Sequence, residues 1–297
     1  MLRIIVVVIA CVALYLTTQP LLWVVADVPP VPSHISIETQ KGVTAFDVQI
    51  AQRAVAFSIA GIEKTLGLTV THPVTVLLTP DAKTYAQVLR DEEGLKHEAA
   101  LAQAAFTSGG SYGQRVIINI GEIEKYNDAL FIVAHEIAHQ SQIEALEDIT
   151  RLNWLTEGMA DWVAAQAVAA NLGELPDSDT SEVKRYQHSW LMTVAQAPQY
   201  PRLLELDKRT DWLTSVRDYG AVIPYRTAAL AVFRLAEMAG KDSFRSYFAL
   251  RATGESTEIA FSTAFGMTLE DFEDQYADWL QDRLSTLSQE ASLNRTK

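Results

Sequence analysis

His135 and His139 stand four residues apart with Glu136 between them, in the segment Ala134-His135-Glu136-Ile137-Ala138-His139-Gln140. The flanks Phe131–Ala134 are apolar, with neither Pro nor Gly nearby, which suits a helix. On a helix, residues four apart share a face, so the two imidazoles point the same way. Two imidazoles at that spacing can hold one zinc ion, and the adjacent glutamate can act on a metal-bound water. A catalytic zinc needs a third protein ligand and an open position for water. Eighteen positions beyond His139 stands Glu157, within Trp154-Leu155-Thr156-Glu157-Gly158-Met159-Ala160-Asp161-Trp162. Trp154, Leu155, Met159, Trp162 and Val163 mark that stretch as a buried helix, where a carboxylate needs a reason to be. Glu157 is the expected third ligand. Asp161, four residues on and on the same face, is expected to accept a hydrogen bond from a ligating histidine and so fix its ring and tautomer.

These residues must be positioned by elements that the rest of the chain supplies. Ser33–Glu38 alternates as a first strand, and Thr44–Leu66 has helical spacing that ends at Gly67. Pro73–Leu78 is a β-branched strand, and Thr79-Pro80-Asp81 starts a helix to about Leu89. Asp91–Ala105 reads as helical, Thr107–Gln114 as a turn-rich loop, and Arg115–Ile120 as a strand closed by Gly121. That last strand is a candidate edge of the site, able to pair with an extended peptide. Gly173–Ser181 is a loop, Glu182–Ala195 a helix, and Pro198–Asp218 irregular. From Ala221 everything reads as helix: a stripe of Val222, Tyr225, Ala229, Val232, Leu235 and Ala236, then Phe244–Leu250, then Thr257–Phe265. A last helix is capped by Thr268 and Asp271, and a polar tail begins near Gln289.

Together, the His-Glu-x-x-His helix and the Trp-Leu-x-Glu-Gly-x-Ala helix resemble the gluzincin metallopeptidases, and within them the bacterial peptidase MA-like domains. The resemblance is strongest over Tyr126–Val168. It continues more weakly through Tyr225–Val232, Ala264-Phe265-Gly266 and Phe272-Glu273. It implies an α+β fold: a thermolysin-like N-terminal lobe, with a small twisted sheet and the zinc helices, and an all-helical C-terminal lobe across a cleft. It also implies zinc-dependent hydrolysis of a peptide or protein substrate, with Glu136 as general base. Tyr225 is implied as the donor to the developing oxyanion, and Tyr219 is the alternative. Arg226 is a weaker candidate, for contact with a substrate carboxylate. The amino-terminus-recognising motif of aminopeptidase relatives is absent, since Gly109-Gly110-Ser111-Tyr112 lacks its glutamate, which favours an endopeptidase. A catalytically silent relative serving as a binding or scaffold module is the competing reading. Intact His135, Glu136, His139 and Glu157 count against it. An intramembrane protease is excluded because the zinc helix runs into Gln140-Ser141-Gln142 and Glu144, with no second long apolar span.

The chain has 297 residues, 48% of them hydrophobic, with a formal net charge of -13. That is enough for a sizeable core, and without a basic run nucleic acid is not an expected partner. His34, His72, His97 and His188 fall outside any ligand spacing and read as surface or loop residues. Arg3 precedes an apolar run, Ile4–Leu16, followed by Thr17–Pro20 and Leu21–Ala26. Residues 1–26 read as a signal peptide cleaved near Ala26 or as an uncleaved membrane anchor, which places the remainder outside the cytoplasm. The expected division is then a zinc-binding lobe at 27–172, a helical lobe at 173–290 and a tail at 291–297. Cys11 is the only cysteine, so the exported part has no disulfide.

Overall fold

A computed structural model describes residues 27–123, 125–145, 152–174 and 181–295, with side chains described as far as residue 289. The segment 1–26, with its signal or anchor reading, lies outside the described residues. Among these residues no helix is long and apolar enough to cross a membrane.

The architecture is α+β, with a small mixed sheet and a helical majority. Strands β1 (Ile35–Thr39), β2 (Val74–Thr79), β3 (Gly109–Tyr112) and β4 (Arg115–Asn119) are arranged in the order β1-β2-β4-β3. β1, β2 and β4 are parallel, with Ile37 beside Val76 and Val76 beside Val116. Parallel neighbours need long crossovers. Helix α1 (Ala45–Leu66) supplies the first, and α2 (Ala82–Asp91) and α3 (His97–Phe106) supply the second. Thr44 starts α1 with a capping box: its hydroxyl accepts from Asp47 N at 3.2 Å, and its own N–H donates to Asp47 Oδ2 at 2.8 Å.

The strand expected at the edge of the site is interior. β4 pairs with β2 on one side and with β3 on the other. The edge belongs to β3, inside the stretch that reads as a loop. Gly-Gly-Ser-Tyr has no β-branched pattern, and only pairing with β4 makes it a strand. Tyr112 lies opposite Arg115 across a two-residue turn, Gly113-Gln114, in which Gly113 takes φ +55°.

Two further helices hold the site: α4 (Tyr126–Ala145) and α5 (Asn153–Asn171). Nearly every residue of α5 is buried. The remaining helices are α6 (Glu182–Gln196), α7 (Arg209–Tyr219), α8 (Val222–Ala239), α9 (Asp242–Ala252), α10 (Thr257–Phe265) and α11 (Leu269–Arg295). A short 3-10 turn covers Leu203–Leu206, so the region read as irregular is in fact half helical. Of α7 only Trp212 and Ser215 are buried, too few to print a periodic stripe. Helix α11 continues to Arg295, past the point where the polar tail was expected. One continuous apolar core runs from β1 to α11, with Trp154 stacked on Phe272 and Trp162 packed against Phe244. Phe46 and Val222 fit apolar stripes but are 56% and 52% exposed.

Gly158 sets the approach of α5 to α8. A Cβ there would sit 2.4 Å from the Ala228 carbonyl oxygen, so the two backbones touch because the residue has no side chain. That contact brings the first turns of α8, with Tyr225 and Arg226, alongside Glu157 and Asp161.

Candidate metal centre

His135 Nε2 and His139 Nε2 lie 3.0 Å apart, and each is 3.4 Å from Glu157 Oε2. His135, Glu136 and Glu157 are all less than a tenth exposed, and His139 is half-buried. The outer ring nitrogens are occupied. His135 Nδ1 is 2.8 Å from Asp161 Oδ1, the contact expected from the sequence. His139 Nδ1 is 2.8 Å from Gln142 Oε1, a partner that the sequence reading missed. Gln142 is oriented by its other end, where Nε2 donates to the Thr156 carbonyl at 2.9 Å. A carboxylate and an amide oxygen can only accept, so each imidazole, in its neutral form, carries its proton on Nδ1 and turns the Nε2 lone pair inward.

Two imidazole nitrogens and a carboxylate oxygen therefore converge on one point. Close approach of three such atoms needs a proton or a metal cation between them. Burial works against charging His135 and His139, yet the Asp161 and Glu157 carboxylates outweigh it and raise both. Burial alone would raise Glu157, and the two histidines instead hold it well below the usual carboxylate range. The triangle also has the right size. Tetrahedral donors at about 2.0–2.1 Å from a zinc ion stand roughly 3.3 Å from one another, and the observed separations are 3.0 to 3.4 Å. The residues fit a zinc ion with His135, His139 and Glu157 as its protein ligands, and the same three form a group able to hold a metal.

The surroundings are charged and mostly paired. Arg226 Nη1 reaches Asp161 Oδ2 at 2.9 Å, and its guanidinium lies over the Trp190 ring at 5.4 Å. It is thus tied to the carboxylate behind His135, rather than left free for a substrate carboxylate. Arg209 Nη1 stands 3.6 Å from Glu157 Oε1 on the more exposed side. Ser111, on the edge strand β3, donates toward both Glu136 Oε2 and the Glu136 carbonyl at 3.0 Å. No periodic pattern in the sequence marks Ser111, because its place depends on the β3–β4 hairpin.

Two cavities meet at this point, of about 450 and 370 Å³, and His135, Glu136 and Tyr225 line both. The Tyr225 ring centroid is 6.2 Å from that of His135 and 4.8 Å from that of Trp212. The charge of Glu157, with burial next, pushes its phenol well above the ordinary range, so the hydroxyl keeps its proton. Tyr219 is elsewhere: its hydroxyl is 3.3 Å from Glu205 Oε2, and it lines a separate surface cavity with Asp218 and Ile223.

His72 is a loop residue with a role in packing. Its Nδ1 is 2.9 Å from Glu144 Oε2, and its Nε2 is 3.1 Å from Gln140 Oε1, which pins the turn before β2 to the end of α4. No protein-family model matches this chain, and no curated protein matches it either.

Proposed function

We propose that the chain is a zinc metallopeptidase of the gluzincin type, acting on peptide bonds of a peptide or protein substrate. The observation that supports this best is the convergence of the His135, His139 and Glu157 ligand atoms, with the Glu136 carboxylate beside them at the junction of two cavities. The thermolysin-like arrangement of lobes belongs to the same proposal.

A zinc ion held by His135, His139 and Glu157 would supply an acidified water and polarise the scissile carbonyl. Asp161 and Gln142 keep both imidazoles in the ligating tautomer. Glu136 accepts the proton of the attacking water on its carboxylate and returns it to the leaving amine. Ser111 restrains that carboxylate from the edge strand. Tyr225 lines the same space, where its phenol would donate a hydrogen bond to the carbonyl oxygen as charge grows there. Export is part of the proposal, from Arg3 and the apolar run that follows it. A topology reporter fused after Lys297 checks it, and a cytoplasmic signal refutes it.

The deciding experiment is metal analysis of the purified protein together with turnover of unstructured peptides. The wild type should hold about one zinc, and His139→Ala and Glu157→Ala should lose it. Glu136→Gln should keep zinc and lose hydrolysis. Full zinc occupancy in both ligand variants, or full turnover by Glu136→Gln, overturns the reading.

A further inference from the structure

We infer that the larger cavity is a specificity pocket for a lysine or arginine side chain next to the scissile bond, with Asp128 pairing the cation. The inference rests on the peptidase reading and names the substrate class that this site takes.

The helix spacing puts Asp128 at the right distance. Asp128, Phe131, Ile132 and His135 all line this cavity and follow one another along α4 at spacings of three, one and three. Asp128 is seven residues before His135, or about 10 Å along the helix axis. The substrate chain takes up the first few ångströms of that distance. An extended lysine or arginine side chain, with its three- or four-carbon stem, covers the remaining 6–7 Å or so.

The walls suit the stem of such a residue. Phe131 and Ile132 form one wall, while Phe106 from the end of α3 and Val222 from the start of α8 stand at the rim. Phe106 is 74% exposed and Val222 52% exposed. Apolar walls with the solvent-exposed Asp128 carboxylate about two helical turns from His135 match a side chain that is aliphatic along its length and cationic at its tip.

The charges leave one group without a counterion. Arg226, the cation of this cavity, is held by Asp161. Glu136 lies at the metal end under Ser111. Among the described residues no cation lies within ion-pair distance of Asp128. Its charge is felt within the cavity: burial first, then Glu182 and Asp128, push the Tyr186 phenol up. A glutamate side chain would be repelled there, and a leucine would leave the carboxylate unused. Asp128 also lies in the first turn of α4, where a carboxylate is favoured whether or not it binds anything. The experiment must separate these two roles.

The full chain, loaded with zinc, is given a mixed peptide library and its products are sequenced by mass spectrometry. Lysine and arginine should be enriched on one side of the cut. In Asp128→Ala the ratio of kcat/KM for matched lysyl and leucyl peptides should fall about tenfold, the loss of one well-placed charge pair. In parallel, zinc-loaded Glu136→Gln is titrated with the same lysyl and leucyl peptides, with and without Asp128→Ala. A lysyl preference that disappears with Asp128 supports the pocket even if the wild type cleaves nothing, a result that would sink the peptidase reading alone. Cleavage without basic enrichment, or enrichment untouched by Asp128→Ala, overturns the pocket and leaves the peptidase reading standing. Neither binding nor cleavage overturns both.

Discussion

His139 Nδ1 and Gln142 Oε1 are 2.8 Å apart, and through Gln142 that imidazole is fastened to the Thr156 carbonyl on α5. One ligand on α4 is thus oriented by the helix that provides the third ligand. His135 is tied across in the same way by Asp161. Both imidazoles are locked to α5, so the donor triangle moves as a unit with the α4–α5 pair.

Gln142→Ala should weaken zinc binding by about 10- to 100-fold, as for other partners of ligating imidazoles. Asp161→Ala should do the same. Competition against a chelator of known affinity gives the number for each. Unchanged affinity in Gln142→Ala would remove it from the site.

Ser111→Ala should lower kcat about tenfold and move KM less, because the hydroxyl restrains Glu136 rather than the substrate. Ser111→Thr keeps a hydroxyl and suits a strand, so it should restore the rate. Zinc content and melting temperature should hold in both. Equal losses from alanine and threonine would mean that the strand, and not the hydrogen bond, is what matters.

Glu144 gives a pH-dependent contribution to stability. Burial alone would raise its carboxyl, but Thr71, through its N–H and hydroxyl, and His72 lower it below the usual value. A lowered carboxylate stabilises the fold above its unfolded pKa and loses that contribution as pH falls through the folded one. At pH 7, Glu144→Gln should cost about 1 kcal/mol, or about 2–4 °C in Tm. The gap should narrow as pH falls below about 4.5, the ordinary glutamate value. A gap that widens in acid would reverse the assignment.

Sequence periodicity reaches as far as single helices. His135, His139, Glu157 and Asp161 are legible because a spacing of four fixes a face. Gln142 stands three residues after His139 on the same helix, and that spacing was available to find it. Ser111 was not: it comes from a Gly-Gly-Ser-Tyr hairpin that is a strand only because β4 lies beside it. The Arg226–Asp161 pair depends on the α5–α8 contact that Gly158 permits, a long-range fact that no local pattern carries. Val222 has helical spacing with the buried residues of α8, yet it faces the cavity. An apolar residue lining a binding cavity has the same spacing as one in the core.

The Tyr225 hydroxyl is the remaining part of the proposed chemistry. The metal and Glu136 account for the nucleophile, while the oxygen that gains charge needs a second partner. Tyr225 stands beside His135, lines both cavities and keeps its proton. Losing a donor of this kind lowers kcat by about 10²–10³. Tyr225→Phe preserves the ring against Trp212, so Tm and zinc content should hold while turnover falls. Tyr219→Phe is the comparison: its hydroxyl faces Glu205 in another cavity, and its loss should leave turnover unchanged. Full activity in Tyr225→Phe would leave the oxyanion to the metal alone, and a loss confined to Tyr219→Phe would require α7 to close over the site during catalysis.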